Sequence, residues 1–133
     1  AIKHARRDAH VTASDRSQGA LTVARDNAAR LGLDITFLES DLLGSTPEHP
    51  YDAIAANLPY IPSADITTLQ PEVRDFEPHL ALDGGPDGLD LVQRLIADSP
   101  PFLAPGARLL LEIGVIKAKP ANLDTLFDTT FLN

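Results

Sequence analysis

The stretch Tyr51-Asp52-Ala53-Ile54-Ala55-Ala56-Asn57-Leu58-Pro59-Tyr60 decides how this chain is expected to fold. Its first part, Tyr51 to Ala56, is short and mostly apolar, which predicts a buried β-strand. Because Pro59 has no N–H to donate to a sheet, the strand must end near Asn57. The sequence therefore places a polar amide, a rigid turn and an aromatic ring at the carboxyl end of a strand. Open α/β sheets bind their ligands at that edge.

The side chain of Asn57 offers one carbonyl acceptor and two N–H donors, so it can hold a planar NH2 group by that group's own hydrogens. This hydrogen-bonding arrangement suits an enzyme that methylates an amide or an exocyclic amine nitrogen. Asn and Pro are also ordinary turn residues. The tetrapeptide alone therefore fits equally well a turn that merely ends the strand.

Strand and helix patterns alternate on both sides of this stretch. Before it, the sequence predicts the tail of a helix over Ala1–Asp8 and a strand over His10–Ser14. A helix then begins at Ser17 or Gln18 and is capped by Gly32. A strand over Asp34–Leu38 and a surface loop over 44–50 follow. After it, the sequence predicts a long irregular functional loop over 59–88, a helix over Leu89–Ala97 stopped by Pro100-Pro101, a turn at Pro105-Gly106, a central apolar strand over Arg108–Ile113 and a helix over Ala121–Phe127. This order predicts an α/β fold with a doubly wound, mostly parallel sheet.

A longer motif follows the tetrapeptide: residues 59–90 read PYIPSADITTLQPEVRDFEPHLALDGGPDGLD. Together with Asn57 and Leu58, it resembles the HemK/PrmC family of release-factor glutamine methyltransferases. Members of that family show N-P-P-Y-I, then P-E-V, then E-P-x-x-A-L-x-G-G-x-D-G. The resemblance runs from about residue 9 to residue 114. Leu58 departs from the usual Pro, and N-L-P-Y also resembles the motif of ribosomal-RNA adenine dimethylases, which lack the E-P-H-L-A-L-D-G-G-P-D-G stretch.

The resemblance implies a class I S-adenosylmethionine-dependent methyltransferase domain, Rossmann-like and spanning residues 1–133. It also implies that this domain is incomplete at both ends, because the glycine-rich first turn and the last strand pair are not in the chain. Residues 115–120 look unlike the family, so a gap or an altered register is expected there. The implied acceptor is the glutamine amide in the Gly-Gly-Gln loop of a peptide-chain release factor, the partner of this enzyme.

For the reaction site, the resemblance implies that the Asn57 side chain and the Leu58 carbonyl each accept one N–H of the acceptor NH2. Pro59 would fix the direction of the carbonyl, and Tyr60 would wall the pocket. We therefore expect Asn57, Pro59 and Tyr60 to be catalytic, and Asn57, Leu58, Pro59 and Tyr60 to bind the acceptor. No general base is required before the methyl transfer.

For the cofactor, the resemblance assigns roles to residues that end the first two strands. Asp15 would accept hydrogen bonds from the ribose hydroxyls of S-adenosylmethionine. Asp41 would accept from the adenine amino group, Leu42 would pack on the ring, and Asn57 would also line this site. From the residues alone, Asp15 and Asp41 fit equally well as helix-capping or turn residues.

The composition limits the other readings. The 19 Asp and Glu exceed the 11 Lys and Arg, and the net charge of −8 argues against nonspecific binding to a nucleic-acid backbone. No Cys is present, and the four His have no metal-ligand spacing, so no metal site is expected. No apolar run is long enough to span a membrane. A cytoplasmic enzyme is therefore expected. The acidic residues Glu77, Asp83 and Asp87 fit solvated loop charge better than a catalytic role.

Two alternatives stay open. An adenine N6-methyltransferase acting on RNA or DNA would use the same amide-holding chemistry, although the acidic balance and the loop over residues 71–90 count against it. A non-catalytic fragment of such a domain is the second alternative, because the glycine-rich turn is not in view.

Overall fold

The computed structural model describes residues 1–113, which fall into two compact units divided between Pro47 and Glu48. The helix predicted over Ala121–Phe127 and the unusual segment 115–120 lie outside the described residues. Within residues 1–113, no helix is long and apolar enough to cross a membrane.

The first unit contains a parallel pair of strands joined through a helix. Its elements are α1 Ile2–Ala5, β1 Thr12–Asp15, α2 Gln18–Arg30 and β2 Thr36–Glu39. Parallel strands need a crossover connection, and α2 supplies it between β1 and β2. Thr12 lies opposite Thr36, and Asp15 lies opposite Glu39. The two strands therefore end together, at the edge that carries Asp15.

Helix α2 begins and ends where the local sequence predicts. The side chain of Ser17 accepts a hydrogen bond from the N–H of Ala20 at 3.2 Å, which is the usual role of a helix N-cap serine. Leu21 and Ala28 share one face of the helix and are buried. Leu31 is 54% exposed because it is the C-cap residue and lies beyond the last helical turn.

The second unit also has a parallel strand pair, with several short helices between the strands. Its elements are β3 Tyr51–Asn57, a 3-10 helix Ser63–Thr68, α3 Pro71–Arg74, α4 His79–Leu82, α5 Asp90–Asp98, a 3-10 helix Pro100–Phe102 and β4 Leu103–Glu112. The expectation of an irregular loop over residues 59–88 is wrong, because short helices fill much of it. Pro62, Pro71 and Pro78 stand at their starts, where the fixed φ of proline suits a first helical turn.

Strand β4 pairs in parallel with β3 over its second half. Ile54 lies opposite Leu109, and Asn57 lies opposite Glu112. The turn predicted at Pro105-Gly106 falls inside β4 as an irregularity, because the partner of Tyr51 is Leu103 whereas the partner of Ala53 is already Arg108. The carboxyl ends of both strands nevertheless meet at one edge, as expected for a parallel pair.

The prediction that these strands are buried is wrong. No residue of β3 or β4 is buried, and Leu110 of β4 is 54% exposed. The reason is that the buried apolar side chains of the second unit come from its helices and connections: Ile66, Leu82, Leu89, Val92, Leu95 and Phe102. In addition, β3 has a single strand neighbour among the described residues, so its other edge has no partner strand there.

Candidate functional site

Asn57 is the last residue of β3 and lies opposite Glu112, the last residue of β4. Its position at the carboxyl end of a parallel strand confirms the strand boundary that Pro59 predicted. The residue is exposed, so its amide is accessible to a ligand. Asn57 is therefore placed where an α/β sheet normally presents functional side chains.

A cavity of about 300 Å³ lies beside Asn57 and is lined by Asn57, Leu58, Tyr60, Ile61, Glu77, Ala81 and Leu82. Its size is at the lower end of the range for small-molecule sites. The residues predicted to bind the acceptor thus come together here, with the exception of Pro59, which is not among the lining residues. A second cavity of about 390 Å³ is lined by Ala55, Ala56, Asn57, Leu110, Leu111 and Glu112, so Asn57 borders both.

The turn after Asn57 is held by backbone hydrogen bonds from far along the chain. The N–H of Ile61 donates to the carbonyl of Leu82 at 3.0 Å, and the N–H of Gly84 donates back to the carbonyl of Ile61 at 2.9 Å. The N–H of Ser63 donates to the carbonyl of Gly85 at 2.9 Å. We call residues 84–88 the glycine segment. These bonds fix the chain that follows Tyr60 and so limit how far the cavity wall can move.

Two glycines of the glycine segment are required by close approach to this turn. A Cβ on Gly84 would lie 2.7 Å from the carbonyl oxygen of Pro59. Gly88 has a φ of 80°, and a Cβ there would overlap the carbonyl oxygen of Tyr60. The first glycine allows close packing, and the second allows in addition a left-handed backbone. The glycine-rich part of the motif therefore supports the backbone of Pro59 and Tyr60, although Pro59 itself does not line the cavity.

Asp83 and Asp87, expected to be solvated, instead accept hydrogen bonds from backbone N–H groups of the loop. Asp83 accepts hydrogen bonds from the Ser63 hydroxyl at 2.7 Å and from the N–H of Gly85 at 2.9 Å. The Ser63 hydroxyl first, and then the Gly85 N–H, hold the pKa of the Asp83 carboxyl below its usual value. Asp87 accepts from the N–H of Leu89 at 3.0 Å. These carboxylates order the glycine segment, so they act on the site through its scaffold.

Glu77 is a further lining residue of this cavity. It is exposed, as expected of a solvated loop charge, and it lines the same cavity as Asn57 and Tyr60. The available signal was its place in the E-P-x-x-A-L motif, immediately before the helix that contributes Ala81 and Leu82. That signal does not give the direction of the carboxylate, which depends on how the short helices fold back against Ile61.

In the first unit, Asp15 ends β1 and is exposed. Its Oδ1 accepts a hydrogen bond from the N–H of Ser17 at 2.7 Å, which is part of the helix-capping role considered from sequence. Its Oδ2 forms no hydrogen bond within residues 1–113. A carboxylate that keeps one oxygen open at a strand end suits hydroxyl donors such as those of a ribose. The residue therefore fits both roles at once.

Asp41 and Leu42 follow β2 in a turn that carries the one non-glycine left-handed backbone among the described residues. Leu42 has a φ of 51°, a conformation that costs an L-residue roughly 1–2 kcal/mol. The turn is held by the N–H of Gly44, which donates to the carbonyl of Asp41 at 3.0 Å, and by the Ser40 hydroxyl, which accepts from the N–H of Ser45 at 2.9 Å. Such strain is typical of functional sites, and a half-buried leucine next to a carboxylate fits an adenine ring.

Asp15 gives a direct test of the cofactor site. We expect Asp15→Ala to weaken S-adenosylmethionine binding by about tenfold to a few hundredfold, because charge-assisted bonds to the ribose are lost. Isothermal titration calorimetry measures this, with Asp26→Ala, an exposed acid of α2, as the control for lost charge. Asp15→Asn keeps an oxygen for Ser17 and separates the two roles. Unchanged affinity in Asp15→Ala would assign the residue to helix capping alone.

Within residues 1–113, no group of three or more His, Cys, Asp or Glu side chains is placed to hold a metal ion.

Comparison with known proteins shows which family the chain resembles. Residues 1–76 match the family model described as a methyltransferase domain. The chain is 42% identical over 111 residues to the release factor glutamine methyltransferase of Geobacter sulfurreducens, covering 84% of this chain and 39% of that protein. It is 46% identical over 125 residues to the release factor glutamine methyltransferase of Deinococcus radiodurans, covering 94% and 42% respectively.

A third relative has a different acceptor in its name. The ribosomal protein uL3 glutamine methyltransferase of Bradyrhizobium diazoefficiens is 44% identical over 109 residues, covering 80% of this chain and 34% of that protein. The chain therefore spans between 34% and 42% of the length of these three relatives.

These matches confirm the predicted resemblance to the glutamine methyltransferases. They also confirm the α/β class I methyltransferase fold, whose members use S-adenosylmethionine. The family model covers more than half of the chain and includes β1, β2, β3 and the Asn57 turn. The chain belongs to the methyltransferase domain family.

Proposed function

We propose that this chain carries out S-adenosylmethionine-dependent N5-methylation of the glutamine side chain in the Gly-Gly-Gln loop of a peptide-chain release factor. The observation that supports this most is the placement of Asn57 and Leu58 in a cavity at the carboxyl end of β3, with the following turn held by the glycine segment. Relatives that share 42% and 46% identity with the chain are named for this reaction.

The acceptor nitrogen needs to be held in one orientation, because an amide lone pair is delocalised and reacts poorly. The Asn57 Oδ1 accepts one N–H of the acceptor NH2, and the Leu58 carbonyl accepts the other. Both acceptors also stabilise the positive charge that grows on the nitrogen as the new bond forms. When bound, S-adenosylmethionine supplies a methyl group on a sulfonium sulfur that leaves as a neutral thioether. Asn57 and Leu58 then hold the methylated nitrogen until its surplus proton passes to water.

The other members of the tetrapeptide support this orientation. The fixed φ of Pro59 restricts the Leu58–Pro59 peptide. The Pro59 carbonyl, which belongs to the next peptide, lies close to Gly84. Tyr60 contributes a wall to the cavity. For the cofactor, Asp15 would hold the ribose, while Asp41 and Leu42 would take the adenine. Asn57 borders both cavities of the second unit, which suits a residue that meets the acceptor and the donor.

The charge around Asn57 favours a protein acceptor over a nucleic acid. Glu77 lines the acceptor cavity and Glu112 lies opposite Asn57. Arg74, which precedes Glu77 by three residues, is paired with Asp75 at 2.7 Å. Carboxylates near Asn57 repel phosphates, whereas nucleic-acid sites normally present basic side chains. This charge supports a protein acceptor, and a cytoplasmic enzyme remains part of the proposal.

The acceptor class is tested by incubating the intact protein with methyl-labelled S-adenosylmethionine and, separately, release factor, ribosomal protein uL3, RNA and DNA. We expect the label to enter the glutamine of the release-factor Gly-Gly-Gln loop, located by digestion and mass spectrometry. Label only on a glutamine of uL3 would support glutamine methylation but make uL3, and not the release factor, the acceptor. Label on adenine without label on glutamine would favour the nucleic-acid alternative. Absence of S-adenosylmethionine binding by calorimetry would support the non-catalytic alternative.

A further inference from the structure

Glu77 is an unpaired carboxylate at the wall of the acceptor cavity. It lines the cavity together with Asn57 and Tyr60. Within residues 1–113, its carboxylate forms no hydrogen bond and no ion pair. Its backbone is nevertheless fixed, because its N–H donates to the carbonyl of Val73 at 3.0 Å and Pro78 follows it. The position is therefore ordered while the charge is left without a partner.

The basic side chains next to Glu77 in the chain are engaged elsewhere. Arg74 donates hydrogen bonds to both carboxylate oxygens of Asp75, at 2.7 and 2.9 Å. His79 faces Asp83, with 3.8 Å between its Nδ1 and the Asp83 Oδ2. Each of these side chains has a different carboxylate as its neighbour, and Glu77 lies between them in sequence. Among residues 1–113, Glu77 is therefore an exposed carboxylate that no basic side chain pairs with.

We propose that Glu77 is a specificity-determining residue that binds a Lys or Arg side chain of the acceptor protein, close to the glutamine that is methylated. This rests on the proposed function. A charged partner suits Glu77 better than a neutral N–H donor, because charge-assisted hydrogen bonds are roughly twice as strong as neutral ones. The negative charge of Glu77 also attracts cationic segments of an acceptor and repels phosphates.

The neighbouring apolar surface strengthens this pairing. Phe76, which precedes Glu77, is 83% exposed, and Leu80, which precedes the lining residue Ala81, is 53% exposed. An acceptor protein that covers these side chains would also exclude water from the Glu77 carboxylate. A less hydrated ion pair is screened less by salt and interacts more strongly. Binding of the apolar neighbours and of the charge would then reinforce one another.

The experiment is a double-mutant cycle between the intact protein and the release factor. Each Lys and Arg within and beside the Gly-Gly-Gln loop of the release factor is changed singly to Gln, and methylation is measured with wild type and Glu77→Gln. We expect one of these changes to raise KM by about twofold to fivefold with wild type and to have little effect with Glu77→Gln, with kcat kept within a few-fold. S-adenosylmethionine affinity stays unchanged.

Control variants separate this role from a structural one. Glu72→Gln removes an exposed acid of α3 that does not line the cavity, and we expect it to leave KM unchanged. Glu77→Lys paired with a release factor carrying Glu at the sensitive position is expected to recover part of the lost affinity, even if Glu77→Gln is less stable.

Two results would overturn the proposal, and they are distinguishable. If the release factor is methylated on glutamine and no Lys or Arg change depends on Glu77, the cation site is wrong and the proposed function stands. If no glutamine is methylated at all, the proposed function fails and the role of Glu77 falls with it.

Discussion

Asn57→Ala is expected to lower turnover by on the order of a hundredfold or more, comparable to the loss of one oxyanion-type contact. The alanine removes the Oδ1 that we propose holds the acceptor NH2, whereas the Leu58 carbonyl and the glycine segment stay in place. Affinity for S-adenosylmethionine should change by no more than a few-fold. The measurements are kcat with release factor and calorimetric binding of the cofactor, both in the intact protein.

The control for Asn57 is Asn27→Ala, which truncates an exposed amide of α2 in the first unit. Its side chain accepts only a surface hydrogen bond from Arg30, at 2.7 Å, so turnover should stay near wild type. Circular dichroism of both variants shows whether the fold is kept. Full activity of a folded Asn57→Ala protein would remove Asn57 from the reaction.

Gly88→Ala is expected to reduce both stability and turnover. Its φ of 80° costs an alanine roughly 1–2 kcal/mol. The added Cβ overlaps the carbonyl oxygen of Tyr60, and the strain of such overpacking adds about 1–3 kcal/mol. If the Tyr60 backbone yields instead, the cavity wall shifts, and a displacement of about 1 Å can lower turnover by about a hundredfold. Chemical denaturation and kcat measure the two effects.

Gly106 provides a matched control for Gly88. Its φ is 78°, but a Cβ there would have no atom within 4 Å. Gly106→Ala should therefore show the backbone cost alone and keep its turnover. Equal losses of stability and activity in the two variants would mean that the contact with Tyr60 has no importance for the site.

Sequence reasoning succeeded where local chemistry decides the outcome. Ser17 at the start and Gly32 after the end are sufficient to place α2. Pro59 likewise places the end of β3 at Asn57, because a missing N–H has the same effect in any context. In these cases the relevant interactions lie within a few residues along the chain.

Sequence reasoning failed where distant segments decide the outcome. The burial expected for β3 and β4 depends on what packs against the strands, and the hydrophobic pattern of a strand does not contain that information. The placement of Glu77 depends on the hydrogen bonds that Ile61 makes with Leu82 and Gly84. Those bonds could be predicted only with knowledge of how the short helices fold back.

The irregular pairing of β4 has a consequence for how the chain tolerates changes in length. Between the partners of Tyr51 and Ala53, β4 passes through residues 104–107 without regular pairing to β3. An inserted or deleted residue in that segment would be absorbed by the bulge, since its conformation is not fixed by the neighbouring strand. The pairing from Ala53 to Asn57 would then keep its alignment. A change in the length of this connection would therefore leave Asn57 opposite Glu112.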